Sequence, residues 1–277
     1  MGRRAHTPAD AAIHPRDIVF RQDPAWQRWW MGGDPVATAY YNVFSASFPQ
    51  AERFFIDSVR RYRDRADAVL RPQIAGFITQ ESLHTREHAT FNRTAISGGY
   101  DLSRIDEFVK SRLDRARQLS SLRQVAATAA LEHFTTILAC EAVGNPSHLE
   151  TAPAEIRRLW QWHAAEEIEH KAVAFDTFLL AAHDVRGFAR WRLRCGVMVA
   201  ATASLLTFLL FGMREMFRQD GIASARTWLG FAHFAFIHPG VLRRVMGRYL
   251  AFYRPGFHPW QVDDRALVAA GERAIAA

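Results

Sequence analysis

The chain contains little cysteine: Cys140 and Cys195 are the two cysteines among its 277 residues. Two isolated cysteines exclude a disulfide framework and a CxxC metal site, and we expect both thiols to behave as small buried apolar groups. The N-terminal segment, MGRRAHTPADAAIHPRD, is charged and no apolar run follows it, which is not typical of a secretory signal. We therefore predict a cytoplasmic protein and leave open an association with the inner face of the membrane.

Common nucleotide-binding and nucleophile motifs are also missing. The sequence has no GxGxxG after a strand, no GxxxxGK[ST] and no GxSxG, so it lacks the fingerprints of dinucleotide, phosphate-loop and serine-hydrolase sites. A net charge of +7 permits contact with an anionic partner. Because no nucleic-acid motif and no basic stripe with interleaved aromatic residues accompanies this charge, we predict no nucleic-acid binding.

Helix signals dominate the sequence from Asp34 onward, and no segment alternates with the period of a strand. Asp34 before Pro35 predicts one helix start, Pro49 predicts a restart, and Gly98-Gly99 predicts a helix end. Long uninterrupted helices are expected at about 153–183, 186–218 and 222–251. Since amphipathic helices with short connections favour a bundle, we predict an all-α fold, a ferritin-like four-helix bundle with two additional long apolar helices.

This pattern divides the chain into four predicted parts. The parts are an irregular N-terminal arm at 1–33, whose Trp26, Trp29 and Trp30 pack on the body; a dimetal helical bundle at 34–185; an apolar helical hairpin at 186–251, packed on the bundle or on a membrane; and a C-terminal tail at 252–277.

Two predicted helices carry the same spacing of glutamate and histidine. Glu81 and His84 are three residues apart in FITQESLHTREHATFN, and Glu167 and His170 repeat this spacing in WQWHAAEEIEHKAVAFD. Residues three apart lie on one face of a helix. The surrounding residues of these faces are apolar, and an unpaired carboxylate would be costly there.

Two further helices each contribute one glutamate, Glu132 among small residues and Glu52 before two phenylalanines. One Glu from each of two helices and one Glu-x-x-His from each of two others is the ligand set of dimetal carboxylate bundles. Four buried carboxylates repel one another, and two divalent cations would balance their charge. We therefore predict two divalent metal ions as cofactors, with iron favoured and manganese or zinc as alternatives.

Each position alone has a simpler interpretation, because helices carry glutamate and histidine on their surfaces and a single histidine in a core is usually a hydrogen-bonded structural residue. His88 and His163 lie on the two Glu-x-x-His faces, and each is an additional ligand, a residue that orients a carboxylate, or a proton carrier. His88 is included among the metal ligands. Glu166, Glu169 and His163 are the candidate catalytic bases.

The segments FPQAERFFIDSVRRYR, FITQESLHTREHATFN, LEHFTTILA and WHAAEEIEHKAVAFD resemble the bacterial family called "predicted metal-dependent hydrolase". The resemblance extends over about 34–254. It implies a ferritin-like helical core and metal ligands at the following positions: Glu52, Glu81, His84, Glu132, Glu167 and His170.

Two kinds of reaction fit such a site. Iron would activate dioxygen to oxidise an apolar or lipid-like substrate, and this chemistry needs an electron-donor protein; we favour it by analogy with other ferritin-like sites. Zinc, manganese or iron would instead supply a hydroxide that hydrolyses an ester, amide or phosphate. A non-catalytic metal store and a purely structural bundle are the remaining alternatives.

The segment from Cys195 to Met213 has no charged residue, and arginines flank it on both sides. As a helix it would be about 28 Å long, close to the thickness of the hydrocarbon core of a bilayer. A hairpin at a membrane surface, a layer packed on the bundle and a homodimer interface all fit this pattern. In the first case a lipid-like substrate would reach the site from the membrane.

Overall fold

The computed structural model describes residues 6–8, 10–21 and 27–276, and these contain ten α-helices and no strand. The all-α prediction is confirmed. The helices are α1 (Pro35–Arg60), α2 (Leu70–Ser97), α3 (Ser103–Arg117), α4 (Ser121–Gly144), α5 (Ala154–Glu169), α6 (Val173–Ala181), α7 (Gly187–Gln219), α8 (Ala225–Phe236), α9 (Val241–Ala251) and α10 (Arg265–Ala276).

Helix α1 is continuous, so the predicted restart at Pro49 is wrong. The helix begins where the Asp34 side chain accepts hydrogen bonds from the backbone N–H groups of Val36 and Ala37, at 2.8 and 3.2 Å. Pro49 has no N–H and leaves the carbonyl of Ser45 without its usual helical donor. The side-chain amide of Asn92, on α2, donates to that carbonyl at 3.0 Å. This tertiary contact compensates for the missing bond and lets the helix continue.

The predicted helix at 153–183 is divided into α5 and α6 by a turn at residues 170–172. In this turn the Lys171 ammonium is buried and donates to the carboxylate of Asp264 at 2.8 Å and to the carbonyl of Val262 at 2.7 Å. A buried ammonium needs such partners. They come from a segment about 90 residues further along the chain, which the helical pattern of the sequence does not reveal.

The second of the two predicted long apolar helices is also divided, into α8 and α9. The interruption contains Pro239, which has no N–H to donate, and Gly240, whose φ of 76° lies in the left-handed region. The prediction of a helix across 222–251 is therefore wrong. The apolar part of the fold consists of one long helix, α7, and two short ones.

Helices α1, α2, α4 and the α5–α6 pair pack around a common interior. Helix α7 lies against α1 and α4, α3 lies between α1 and α7, and α10 covers α5. The polar interior thus lies between α1, α2, α4 and the α5–α6 pair, and α3, α7 and α10 form an outer layer on these helices.

Among the described residues, α7 is the one helix long and apolar enough to cross a membrane, with a mean hydropathy of 2.0 over its most apolar 18 residues. The protein buries 28% of that stretch. Length and composition alone do not distinguish a membrane span from an apolar helix that packs on a core. The structure therefore leaves the membrane prediction as a prediction.

The described part of the N-terminal arm has no regular secondary structure at 11–21 and packs on α2 and α5. Phe20 is buried against Trp162, with 5.4 Å between the ring centroids. Trp30 is buried and its indole N–H donates to the Asn42 side chain at 3.0 Å, and Trp29 is partly buried. Trp26 lies outside the described residues.

Candidate metal centre

The interior of the bundle contains a group of buried carboxylates and imidazoles that come from four helices. Its six members are Glu52 on α1, Glu81 and His84 on α2, Glu132 on α4, Glu167 on α5 and His170 at the end of α5. The helical spacing predicted that each Glu-x-x-His pair shares a face, and packing brings the faces together.

His170 lies at the centre of one half of this group. Its Nε2 atom is 3.2 Å from Oε2 of Glu132, 3.3 Å from Oε1 of Glu81 and 3.6 Å from Oε1 of Glu167. His84 lies on the other side of Glu167, with 3.6 Å between its Nδ1 and Oε1 of Glu167. Three carboxylates and two imidazoles therefore direct their ligand atoms at a shared space.

Three sets of these side chains have potential ligand atoms within 4.8 Å of one another. They are Glu81 with His84 and Glu167, Glu81 with Glu132 and His170, and Glu52 with His84 and His163. Glu81 belongs to the first two sets, so its carboxylate lies between the groups that contain His84 and His170. Glu52 lies at the edge of the group, where its Oε2 accepts a hydrogen bond from Thr85 at 2.9 Å.

Many polar atoms of this group have no hydrogen-bond partner, although burial of such atoms is costly. The atoms are both carboxylate oxygens of Glu81 and of Glu132, one oxygen each of Glu52 and Glu167, Nδ1 of His84 and Nε2 of His170. All of them belong to side chains that point into the shared space. Carboxylate oxygens and imidazole nitrogens are ligands for iron, manganese and zinc, so the side chains fit divalent cations.

The charges of the group lead to the same conclusion. Burial and neighbouring carboxylates raise the pKa of Glu81 well above its usual range, and they raise the pKa of Glu132 to about 7. Burial alone would lower the pKa of His170, but Glu167 and Glu132 raise it to about 10. Without a metal, protons must therefore compensate the clustered carboxylates.

His84 has the opposite tendency, because burial and the nearby histidines His163 and His170 lower its pKa well below the usual value. A neutral imidazole has a free lone pair for a metal. Oε2 of Glu166 lies 3.1 Å from Nε2 of His84, placed to accept its N–H. This contact leaves Nδ1 of His84, directed at the shared space, as the lone-pair atom.

His170 is oriented in a similar way by Gln80. Oε1 of Gln80 is 2.9 Å from Nδ1 of His170, and the amide nitrogen of Gln80 donates to Glu169 at 2.6 Å. An N–H on Nδ1 that donates to Gln80 directs Nε2 at Glu81 and Glu132. Both histidines thus have one nitrogen fixed by a hydrogen bond and the other directed inward.

Glu166 and Glu169, which the sequence suggested as bases, lie behind the ligand atoms. Arg16 of the N-terminal arm donates to Oε1 of Glu166 through its backbone N–H at 2.8 Å, and its guanidinium is 3.0 Å from Glu169. The same guanidinium contacts Glu272 of α10 at 2.6 Å. Sequence reasoning missed Arg16 and Gln80, because neither belongs to a recognisable spacing pattern.

His163 and His88 form a chain of contacts beside the group. Nε2 of His163 is 3.3 Å from Oε1 of Glu167, and Nδ1 of His163 is 2.9 Å from Nε2 of His88. His88 continues to the Ser45 hydroxyl at 2.9 Å. His163 therefore reaches the shared space, whereas His88, predicted as a ligand, lies one contact behind it and belongs to none of the three sets.

An apolar cavity of about 70 Å³ opens beside His163 and Glu167. Aromatic side chains form part of its wall, among them Tyr40, Phe48 and Trp160. A small apolar space next to a polar group is where a substrate is expected to place its reacting part.

A model of the family described as "predicted metal-dependent hydrolase" matches residues 14–263 of the chain. The chain belongs to this family. The predicted resemblance to the metal-dependent hydrolase family is therefore confirmed, and the matched range includes Arg16 and all six candidate ligands. No curated protein and no solved structure matches the chain.

Proposed function

We propose that the chain is a metal-dependent hydrolase whose interior holds two divalent ions. The observation that supports this proposal best is the convergence of unpartnered buried oxygens and nitrogens from four helices. The proposed ligands are Glu52, Glu81, His84, Glu132, Glu167 and His170. The chain order Glu, Glu-x-x-His, Glu, Glu-x-x-His also supports a ferritin-like arrangement of the four helices, as part of the proposal.

Bound divalent ions would polarise a carbonyl or phosphoryl oxygen and make water more acidic. The protein contributes the groups that position the substrate and move protons. His163 is our proposed general base, because it both lines the apolar cavity and lies 3.3 Å from Glu167. Its Nε2 would accept a proton from water, and its Nδ1 is held by His88.

Glu166 and Glu169 take a positioning role in this proposal. Glu166 fixes the tautomer of His84 and Glu169 holds Gln80, while Arg16 stabilises both carboxylates. Each oxygen of these two carboxylates already has a hydrogen-bond partner, so none is free to accept a proton from water. These contacts favour His163 over the two glutamates as the proton acceptor.

Oxidation of an apolar substrate, which the sequence analysis favoured, is the competing proposal. The family description supports hydrolysis, but a ligand set rich in carboxylates also suits iron. Iron, manganese and zinc all remain candidates for the ions, and an electron-donor protein would be needed in the case of oxidation alone.

The metal content of the full-length protein tests the proposal. We expect about two ions per chain by mass spectrometry, and a clear loss in Glu81→Gln and in His170→Gln. Glu107→Gln, which changes an exposed carboxylate on α3, is the matched control and should keep the ions. A parent protein that takes up no ion, even when zinc, manganese and iron are supplied, contradicts the proposal.

The reaction is then assigned with the loaded protein. Hydrolysis of nitrophenyl esters or phosphates in the absence of oxygen and of a reductant supports our assignment. Consumption of dioxygen that depends on a reductant, without such hydrolysis, would support oxidation instead.

A further inference from the structure

A wide groove of about 790 Å³ runs between α3, α4 and α7, away from the metal centre. Leucine and valine side chains form part of its wall, and α7 contributes small residues such as Gly196 and Ala200. Four arginines line it: Arg112, Arg115, Arg123 and Arg192. Among the residues that the structure describes, no acidic side chain lines the groove. A pocket of this size is large enough for a small-molecule ligand.

The arginines of the groove have no anionic partner within the described part of the chain. None of the four forms an ion pair there, although many other arginines of the protein do. The neighbouring acid, Asp114, is already paired with Lys110 at 2.6 Å and with Arg117 at 3.1 Å. Four arginines without an anionic partner, around an apolar floor, create a positive potential that attracts an anion.

The groove and two smaller cavities follow one another along one face of α4, and each shares lining residues with the next. Arg123, Ala127 and Leu131 line the groove itself. A second cavity, of about 110 Å³, shares Leu131 with the groove and is also lined by Thr135 and Leu138. Thr135 and Leu138 belong in turn to the cavity beside His163 and Glu167. Steps of three and four residues keep all these positions on one side of the helix.

The inner part of this path is narrow and apolar. Aromatic side chains form part of both walls. Phe44, Phe55 and Phe208 line the second cavity, and Tyr40, Phe48 and Trp160 line the innermost one. The inner cavities, of about 110 and 70 Å³, suit a single hydrocarbon chain much better than a bulky headgroup. Arg123 and Leu138 are about 22 Å apart along α4, so only an elongated molecule spans the path.

We propose that this path binds a single-chain anionic amphiphile. Its carboxylate or other anionic head lies on the arginines of the groove, and its hydrocarbon chain follows α4 toward His163 and Glu167. This inference deepens the proposed function by naming a substrate class, an anionic amphiphile whose inner end carries an ester or amide bond for water to cleave. That final step alone rests on the proposed function. Binding itself requires the groove and the path alone.

Calorimetric titration of the full-length protein with hexadecanoate tests the inference. We expect saturable binding, and a dissociation constant at least about tenfold higher in Arg115→Gln/Arg123→Gln, because each arginine supplies a charge-assisted contact. Both arginines are exposed and without ion pairs, so the variant should fold normally. Arg60→Gln/Arg226→Gln, which changes two exposed arginines that do not line the groove, is the matched control and should bind like the parent.

The second variant fills the groove. A Cβ atom added at Gly196 meets no other atom within 4 Å, so Gly196→Phe should keep the fold, and its ring should obstruct the floor of the groove. We expect weaker binding of hexadecanoate at an unchanged melting temperature. Gly247→Phe on α9, where an added Cβ also meets nothing within 4 Å, should leave binding unchanged.

Two other amphiphiles test whether binding depends on the charge of the head group and on the length of the hydrocarbon chain. Hexadecyltrimethylammonium has the same chain with a positive head and should not bind, and octanoate should bind more weakly than hexadecanoate. Equal binding of the cationic amphiphile, or unchanged hexadecanoate binding in both groove variants, would overturn the inference. Because none of these titrations depends on bound metal or turnover, their failure would leave the metal-content test of the proposed function unaffected.

Discussion

Two parts of the molecule differ in the side chains that they bury and expose. We call helices α1, α2, α4 and α5 the polar half, and the region 185–262 the apolar half. Helices α1, α2, α4 and α5 bury carboxylates and imidazoles in an interior that would ordinarily be apolar. The region 185–262 contains eleven arginines and two acidic residues, yet it leaves large apolar side chains in contact with solvent. Leu229 is 71% exposed, Ile237 is 64% exposed and Leu250 is 56% exposed.

Each half thus has an unfavourable feature that a binding partner would remove. Unpaired buried carboxylates cost free energy unless cations neutralise them, and contiguous exposed apolar surface usually marks an interaction site. The first half requires a small ligand of high charge, whereas the second offers apolar surface beside arginine. A membrane surface and a second copy of the chain remain predictions as partners of the second half.

The largest expected effect concerns the polar half. Glu132→Gln keeps the shape of the side chain but removes a charge that the proposed ions require. We expect hydrolytic activity to fall about 10³-fold, because metal catalysis contributes several kcal/mol. Initial rates at saturating metal provide the measurement. Activity close to that of the parent would show that the buried carboxylates do not serve catalysis.

Removal of metal should have the next largest effect. If the ions bind the folded state at about 1,000 times their dissociation constant, chelation lowers the free energy of unfolding by about 4 kcal/mol. Differential scanning calorimetry with and without EDTA measures this change. If EDTA leaves the melting temperature unchanged, protons alone compensate the carboxylates. The polar half would then require no bound ion, and this difference from the apolar half would not exist.

The third prediction concerns the contact that joins the halves. Asp264 accepts hydrogen bonds from Lys171 at 2.8 Å and from Arg248 of α9 at 2.8 Å. Burial alone would raise the pKa of Asp264, but the hydrogen bonds from Arg248 and Lys171 lower it below its ordinary value. Asp264→Asn leaves the buried Lys171 without its anion, and we expect a loss of about 3 kcal/mol near neutral pH.

The pH dependence of this loss has a definite sign. A carboxylate whose folded pKa is depressed stabilises the folded state above its unfolded pKa of about 4, and this contribution is lost as the pH falls through the folded pKa. The difference between parent and Asp264→Asn should therefore shrink as urea unfolding is measured at progressively lower pH below about 4. Asp263→Asn, at an exposed neighbouring position, should cost much less at every pH.

The smallest effect is expected on the apolar half. Leu229→Ser and Ile237→Ser remove exposed apolar surface, so each should change the free energy of unfolding by no more than about 0.5 kcal/mol. Sedimentation velocity should show less self-association than in the parent if this surface pairs two chains. A large loss of stability in either variant would mean that the surface is part of the core.

The ligand faces of the centre could be predicted from the sequence because helical periodicity determines which residues share a side. Glu81 and His84 are one turn apart, so any inward packing of α2 brings both inside. The same argument applies to Glu167 and His170. Their proximity across helices is observed in the structure, while their role as metal ligands stays a prediction until the metal content is known.

The continuation of α1 past Pro49 and the roles of Arg16 and Gln80 were not predicted, because they depend on distant partners. Pro49 would be expected to end a helix, but Asn92 of another helix satisfies the carbonyl that it leaves free. Gln80 and Arg16 orient the site through contacts with Glu169 that span 89 and 153 residues of sequence. Local helix propensity does not predict such contacts, because only the packing of the helices brings these groups together.

The contacts of Arg16 with Glu166, Glu169 and Glu272 also determine when the N-terminal arm can dock during synthesis of the chain. Arg16 is among the first described residues to be synthesised, yet its anchor Glu166 follows 150 positions later and Glu272 is made close to the end of the chain. At about 10 residues per second of translation, the arm waits on the order of 10 s for its partners. Glu272 follows His170 by about 100 residues, so for about another 10 s every candidate ligand from 52 to 170 has been synthesised while Arg16 still lacks this last anchor. We expect the nascent chain to offer ions their most open route to the centre in this interval, before the two ends of the described chain close over it.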